Sequence, residues 1–95
     1  MNIAGKAREI VDGERQQAYG HPWDNFRRIA GVWNGLLLTK LSAPIEPEDV
    51  ALMMIGLKVA REINWHKEDN LVDIAGYVEC LNMILEKRRE VENQK

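Results

Sequence analysis

Cysteine is almost missing from this chain. Cys80 stands alone among 95 residues, which excludes an internal disulfide framework and fits a reducing compartment. Long apolar runs are missing too. The longest, Val50 to Leu57, falls well short of the ~20 residues a bilayer-spanning helix needs. No N-terminal stretch joins a basic region to an apolar one, so no targeting signal is expected and the chain reads as cytoplasmic. Neither sign of charge dominates. Thirteen Lys and Arg face 15 Asp and Glu for a formal net charge of −2, which leaves no general nucleic-acid footprint and no long nucleic acid as an expected partner. Alternating polarity of the kind that marks a strand is absent throughout.

What is present is helical. Hydrophobic residues make up 45% of the chain, ordinary for a globular fold, and the length suits one domain over residues 1–95. Four helices follow from periodicity. The first runs from Ile3 to about Ala18, with Ile3, Ala7, Ile10, Val11 and Ala18 on one stripe. Gly20 and Pro22 then suit a helix end and a helix start. The second helix runs from Pro22 to about Lys40 on the apolar face Phe26, Ile29, Ala30, Trp33, Leu36 and Leu37. After a short loop at Ser42-Ala43-Pro44, the series Glu46-Pro47-Glu48-Asp49 opens the third helix with proline and acids at the positive dipole end. This helix runs to about Ile63 and is apolar almost all round. It is therefore expected to lie centrally or against another subunit. The fourth runs from about Lys67 into the nineties on Leu71, Ile74, Val78, Leu81 and Leu85, with a charged end from residue 86 to 95 expected to be solvated or frayed. The fold class is an all-α, four-helix antiparallel bundle, completed by homo-oligomerisation into a dimer or tetramer because so short a chain buries a limited core.

Short connections would make successive helices antiparallel. The start of helix two, the end of helix three and the start of helix four then share one end of the bundle. Those segments carry His21, Asp24 and Asn25, then Lys58, Arg61 and Glu62, then Asp69, Asn70 and Asp73 with Tyr77 one turn on. Asp69 and Asp73 are four apart and share a helix face, where two carboxylates repel unless a cation neutralises them. With a third acid from Glu62 or Asp24 they would form an oxygen-rich site suited to Mg²⁺. Lys58, Arg61 and His21 would then receive phosphate oxygens.

A plainer reading stands beside each of these. First-turn acids complement the helix dipole, which accounts for Asp69 and Asp24 without any ligand. Lys58 and Arg61 have Asp69, Asp73 and Glu62 within reach as ion-pair partners, giving a purely structural network. His21 before Pro22 suits a loop. The three tryptophans suit core or anchor positions, with Trp65 or Trp23 also able to stack a base.

The segment Asp69-Asn70-Leu71-Val72-Asp73, opening a helix after a short loop, resembles the Glu-Glu-x-x-Asp element of the MazG-like all-α nucleoside triphosphate pyrophosphohydrolases. The wider pattern is similar to short uncharacterised phage-type members of that group. It comprises Tyr19-Gly20-His21-Pro22-x-x-Asn25-Phe26, Pro47-Glu48-Asp49-Val50-Ala51, Lys58-x-x-Arg61 and Asp69-Asn70-x-x-Asp73-x-x-Gly76-Tyr77. The resemblance implies Mg²⁺ held by acids, with Asp69 and Asp73 matching the element and Glu62 matching loosely. It also implies metal-assisted release of pyrophosphate from a nucleotide. Asn70 and Tyr77 join Lys58, Arg61 and His21 as candidate substrate-binding residues at the same end. Lys58-x-x-Arg61-Glu62 stands where the group carries Glu-x-x-Glu, and Asn70 where it carries an acid. Three functions therefore stay open: a Mg²⁺-dependent nucleotide pyrophosphohydrolase, a nucleotide-binding module of the same fold, or a helical homo-oligomeric interaction protein.

Overall fold

In the computed structural model the described residues are 2–10 and 20–94. The expected continuation of the first helix through Val11 and Ala18, and Tyr19, lie outside them. The described residues are helical with no strand, in the order α1 (Ile3–Ile10), α2 (Pro22–Leu36), α3 (Pro47–Asn64) and α4 (Glu68–Asn93). Helix starts follow the chemistry of the sequence. Gly20 takes a left-handed φ of 77°, His21 caps α2 by accepting the Trp23 N–H on its Nδ1 (3.0 Å), and Pro22 supplies the first turn. At α3, Pro47 opens the helix and the Asp49 carboxylate accepts the Glu46 N–H at 2.9 Å.

Helix α4 is the backbone of the molecule, since each of the other three packs on it. Helix α3 runs antiparallel to it: Lys58 meets Asp73 near one end, and Glu46 and Glu48 meet Arg88 near the other. Helix α1 is antiparallel as well, lying on the first half of α4 with Lys6 against Glu68. Helix α2 crosses the second half of α4, with Phe26 against Tyr77 and Trp23 beneath the Arg88 guanidinium.

That crossing corrects one expectation. The start of α2 does not lie with the end of α3 and the start of α4. It lies beside the start of α3 and the far end of α4, where Trp23 and Arg27 share a cleft with Glu46, Pro47 and Arg88. The cause is the crossing of α2. Helix α2 ends at Leu36 rather than Lys40, and the Asn34 side chain near that end donates to the Ile45 carbonyl (3.0 Å) and accepts the Ile45 N–H (2.7 Å), so the connection folds back onto the end of α2 before α3 begins. From there α2 lies across the first turns of α3 through Trp23, Phe26 and Ala30, instead of running alongside the whole of α3.

The core gathers around the first turns of α3. Trp23, Phe26 and Ala30 of α2 close over Val50 and Ala51 of α3 and Cys80 and Ile84 of α4. On α4 the buried positions are Val72, Gly76, Cys80 and Ile84, a stripe displaced from the expected one; Val78 and Leu85 face solvent. Gly76 and Cys80 are small, and their stripe admits neighbouring helices closely, whereas bulk alone pointed to the adjacent face. Nor does α4 fray at residue 86. Arg88 hydrogen-bonds Glu48 through Nε and through a terminal nitrogen at 3.0 Å, reaches Glu46 at 3.1 Å, and stacks 5.0 Å from the Trp23 ring centre. One guanidinium thus ties three helices together. Burial pushes the Glu48 carboxyl up, but hydrogen bonds from Arg88 and its own backbone N–H, with the Arg88 charge, outweigh that and hold it below its ordinary value.

Candidate functional site

The turn from α3 to α4 is built around one carboxylate. Glu62, in the last turns of α3, accepts from the His66 ring, from the Lys67 N–H (3.0 Å) and from the Asn70 side-chain amide (3.1 Å). The hydrogen bond from His66, then that from the Lys67 N–H, with the Asn70 amide, outweighs burial and lowers the Glu62 carboxyl from its ordinary value. Asn70 is the one buried polar residue among those described. Its amide nitrogen also reaches the Trp65 carbonyl at 3.4 Å, so the side chain bolts the turn to the start of α4. The buried amide is satisfied by these acceptors, which is why an asparagine fits where an acid would face Glu62 and repel it.

Outside this bolt lies a groove of about 520 Å³ lined by Lys58, Ala60, Arg61, Asn64, Trp65, Lys67 and Asn70. Its ionisable lining is wholly basic: Lys58 and Arg61 from α3, and Lys67 at the cap of α4. Two amides add neutral hydrogen-bonding groups. Trp65 is 72% exposed, an unusual state for so large an apolar ring, while Trp23 is buried and Trp33 half-buried. Lys58 is held in place by Asp73, with 2.8 Å between Nζ and Oδ2 and only 15% and 29% of the two side chains accessible.

The residues expected at the site divide into three groups. Lys58, Arg61 and Asn70 line the groove, and Asp73 and Glu62 stand behind it as partners of Lys58 and Asn70. Asp69 is exposed in the first turn of α4 and forms no ion pair among the described residues, as a dipole-complementing acid would. Tyr77 packs its ring against Phe26, 6.3 Å between centres, a full turn beyond Asp73. His21 and Asp24 belong elsewhere. They line a separate cleft with Met83, Glu86, Lys87 and Glu90, and Glu86 is about 20 Å along α4 from Asp73. The crossing of α2 over the first turns of α3 carries both away.

The three-carboxylate cluster expected for Mg²⁺ is not assembled. Glu62 is engaged by the turn, Asp73 is paired with Lys58 and Asp24 lies at the other end. Among the described residues no three Asp, Glu, His or Cys side chains converge on one point. What sequence reasoning passed over is Lys67 and Asn64. Their signal was position: Asn64 precedes Trp65 and Lys67 follows it by two residues, in the short connection between two helices.

None of the described helices is long and apolar enough to cross a membrane. Among curated proteins, the chain is 42% identical over 96 residues to the Gene 55 protein of Mycobacterium phage L5, covering 100% of the chain and 57% of that relative. It is 38% identical over 93 residues to the Gene 55 protein of Mycobacterium phage D29, covering 96% and 58%. The chain thus spans a little over half the length of these phage relatives. No solved structure matches it. Residues 2–85 match the family described as "Domain of unknown function (DUF6378)", and the chain belongs to that family.

Proposed function

We propose that the α3–α4 groove binds a phosphorylated nucleotide without a metal ion, making the chain a nucleotide-binding module. The observation that carries this reading is the pairing of three cations with an exposed tryptophan in one groove of ligand size. Small-molecule sites commonly enclose ~300–1,000 Å³, and this one falls inside that range. Arg61 and Lys67 meet phosphate oxygens, Arg61 offering a planar fork and Lys67 a point charge. Lys58 adds charge that Asp73 partly offsets. The Trp65 ring offers its face to a base, and base–aromatic stacking is worth ~1–3 kcal/mol. The amides of Asn64 and Asn70 supply hydrogen bonds at the groove wall.

The resemblance to MazG-like pyrophosphohydrolases supports a nucleotide as the ligand class. The basic pair at Lys58 and Arg61, in place of acids, favours holding the phosphates over cleaving them. Thermal unfolding with nucleoside mono-, di- and triphosphates, in EDTA and in Mg²⁺, tests this. Stabilisation in EDTA that disappears in Arg61→Ala supports it, because a ligand that binds only the folded state raises the melting temperature. Pyrophosphate release that depends on Mg²⁺ and Asp73 would replace it with the hydrolase reading.

A further inference from the structure

Lys58, Arg61 and Trp65 follow one another along α3 at intervals of three and four residues, which puts them on one stripe of the helix. Trp65 still closes the helical ladder, its N–H donating to the Arg61 carbonyl at 3.0 Å. Seven residues separate it from Lys58, about 10 Å along the axis. Helix α4 repeats that spacing from the other side. Lys67 caps it beside the turn, and Asp73, which holds Lys58, stands six residues further on, about 9 Å away. The groove therefore has a turn end with Trp65 and Lys67, a middle with Arg61, and a far end marked by the Lys58–Asp73 pair.

The cations differ in state along that line. Among the described residues neither the Arg61 nor the Lys67 side chain enters an ion pair. Lys58 does, with Asp73 at 2.8 Å. An anion near the turn meets two cations that carry no carboxylate partner. One that reaches the far end shares Lys58 with Asp73 and feels both charges. A base stacked on Trp65 fixes where each phosphate falls. The first phosphate is one sugar away from the base, which brings it to the level of Arg61 and Lys67. Only a longer chain carries its terminal phosphate a further turn along α3 to Lys58.

We propose that the Lys58–Asp73 pair makes the groove sensitive to phosphate-chain length: Lys58 receives the terminal phosphate of a nucleoside triphosphate, Asp73 opposes it, and a monophosphate reaches neither. This rests on the groove being the nucleotide site. It gives Lys58 and Asp73 opposite effects on the triphosphate, while Lys67 at the turn end acts on every nucleotide.

Calorimetric titration of the full chain in EDTA, with the mono-, di- and triphosphate of one nucleoside, tests this. Lys58→Met should weaken the triphosphate about three- to ten-fold and leave the monophosphate within about two-fold of the wild type. Asp73→Asn should tighten the triphosphate about two- to five-fold, again without moving the monophosphate. Lys67→Met removes the same charge at the turn end and should weaken both. The double variant Lys58→Met with Asp73→Asn leaves no unpaired charge behind; folded by circular dichroism, it should hold the monophosphate and lose the added grip on the triphosphate. The wild type gives a second reading. With isotope-labelled lysine, the Lys58 side-chain resonance should move with triphosphate but not with monophosphate, and that of Lys67 with both. A wild-type chain that binds no nucleotide in EDTA overturns the nucleotide reading and this inference with it. Nucleotide binding in which Lys58→Met and Lys67→Met show the same profile across chain lengths, or a Lys58 resonance that moves equally with both ligands, overturns this inference alone.

Discussion

Asp73→Asn separates the two roles open to the acidic segment, because they predict opposite signs. In the structure the Asp73 carboxylate sits 2.8 Å from the Lys58 ammonium, with both side chains largely covered. Asparagine keeps the size and one acceptor oxygen but removes the charge. A pair buried to this degree lies between exposed bridges and fully buried ones, so the loss costs about 1–2 kcal/mol of stability. In a chain of this length that is roughly 5–15 °C in melting temperature. Ligand binding moves the other way. A phosphate resting on Lys58 stands roughly 6–8 Å from the Asp73 carboxylate, where a unit repulsion amounts to about 0.5–1 kcal/mol under solvent screening. Its removal tightens nucleotide binding about two- to five-fold. Isothermal titration in EDTA measures this, with circular dichroism on the same samples for the stability loss. Binding abolished in folded Asp73→Asn, or wild-type binding that appears only with Mg²⁺, refutes the assignment of Asp73 as a partner of Lys58.

Trp65→Ala should weaken nucleotide binding by about 1–3 kcal/mol while leaving the melting temperature nearly unchanged, since the ring is exposed; fluorescence-independent calorimetry reads both. Asn70→Ala should lower stability by about 1–2 kcal/mol in chemical unfolding, because Glu62 and the Trp65 carbonyl lose their shared donor. Arg88→Met should cost about 2 kcal/mol from the lost hydrogen bonds to Glu48 and the lost stacking on Trp23. Its pH dependence follows from the lowered Glu48 value. That carboxylate contributes stability above its unfolded pKa, and the contribution is lost as pH falls through the lower folded value. The wild type should therefore lose stability below about pH 4.5, and Arg88→Met should flatten that part of the acid unfolding curve.

The helices themselves were legible because their signals are local. Pro22 and Pro47 each open a helix, the acids at Glu48 and Asp49 mark a start, and apolar periodicity fills the interiors. Helix placement was less legible, because the angle at which α2 crosses α3 and α4 is set by contacts the sequence does not encode locally. Residues 37–46 read as the tail of a helix and a short loop. The Asn34–Ile45 bonds that close them onto the end of α2 link residues eleven apart with no motif to announce them. The packing of Trp23, Phe26 and Ala30 across the first turns of α3 places His21 and Asp24 at the other end of the molecule. The α4 core stripe was misplaced for another reason. Apolar side chains occur on more than one face, and only contact with α2 and α3 selects Cys80 and Ile84 over Val78 and Leu85. The turn between α3 and α4 was read correctly as a polar cluster, since all its members lie close in sequence. How its charges pair is a three-dimensional matter: Asp73 goes to Lys58 and Glu62 to its own turn, leaving Arg61 and Lys67 lining the groove.

The central claim is that this groove, and not an acidic metal centre, meets the nucleotide. Two-dimensional amide NMR of the full chain, titrated with a nucleoside triphosphate in EDTA, tests it most directly. The account predicts saturable shifts of the Trp65 indole N–H, the Asn64 and Asn70 side-chain amides and the Lys67 backbone N–H, absent in Arg61→Ala. Unmoved resonances in EDTA, followed on adding Mg²⁺ by shifts centred on Asp69 and Asp73, would contradict it.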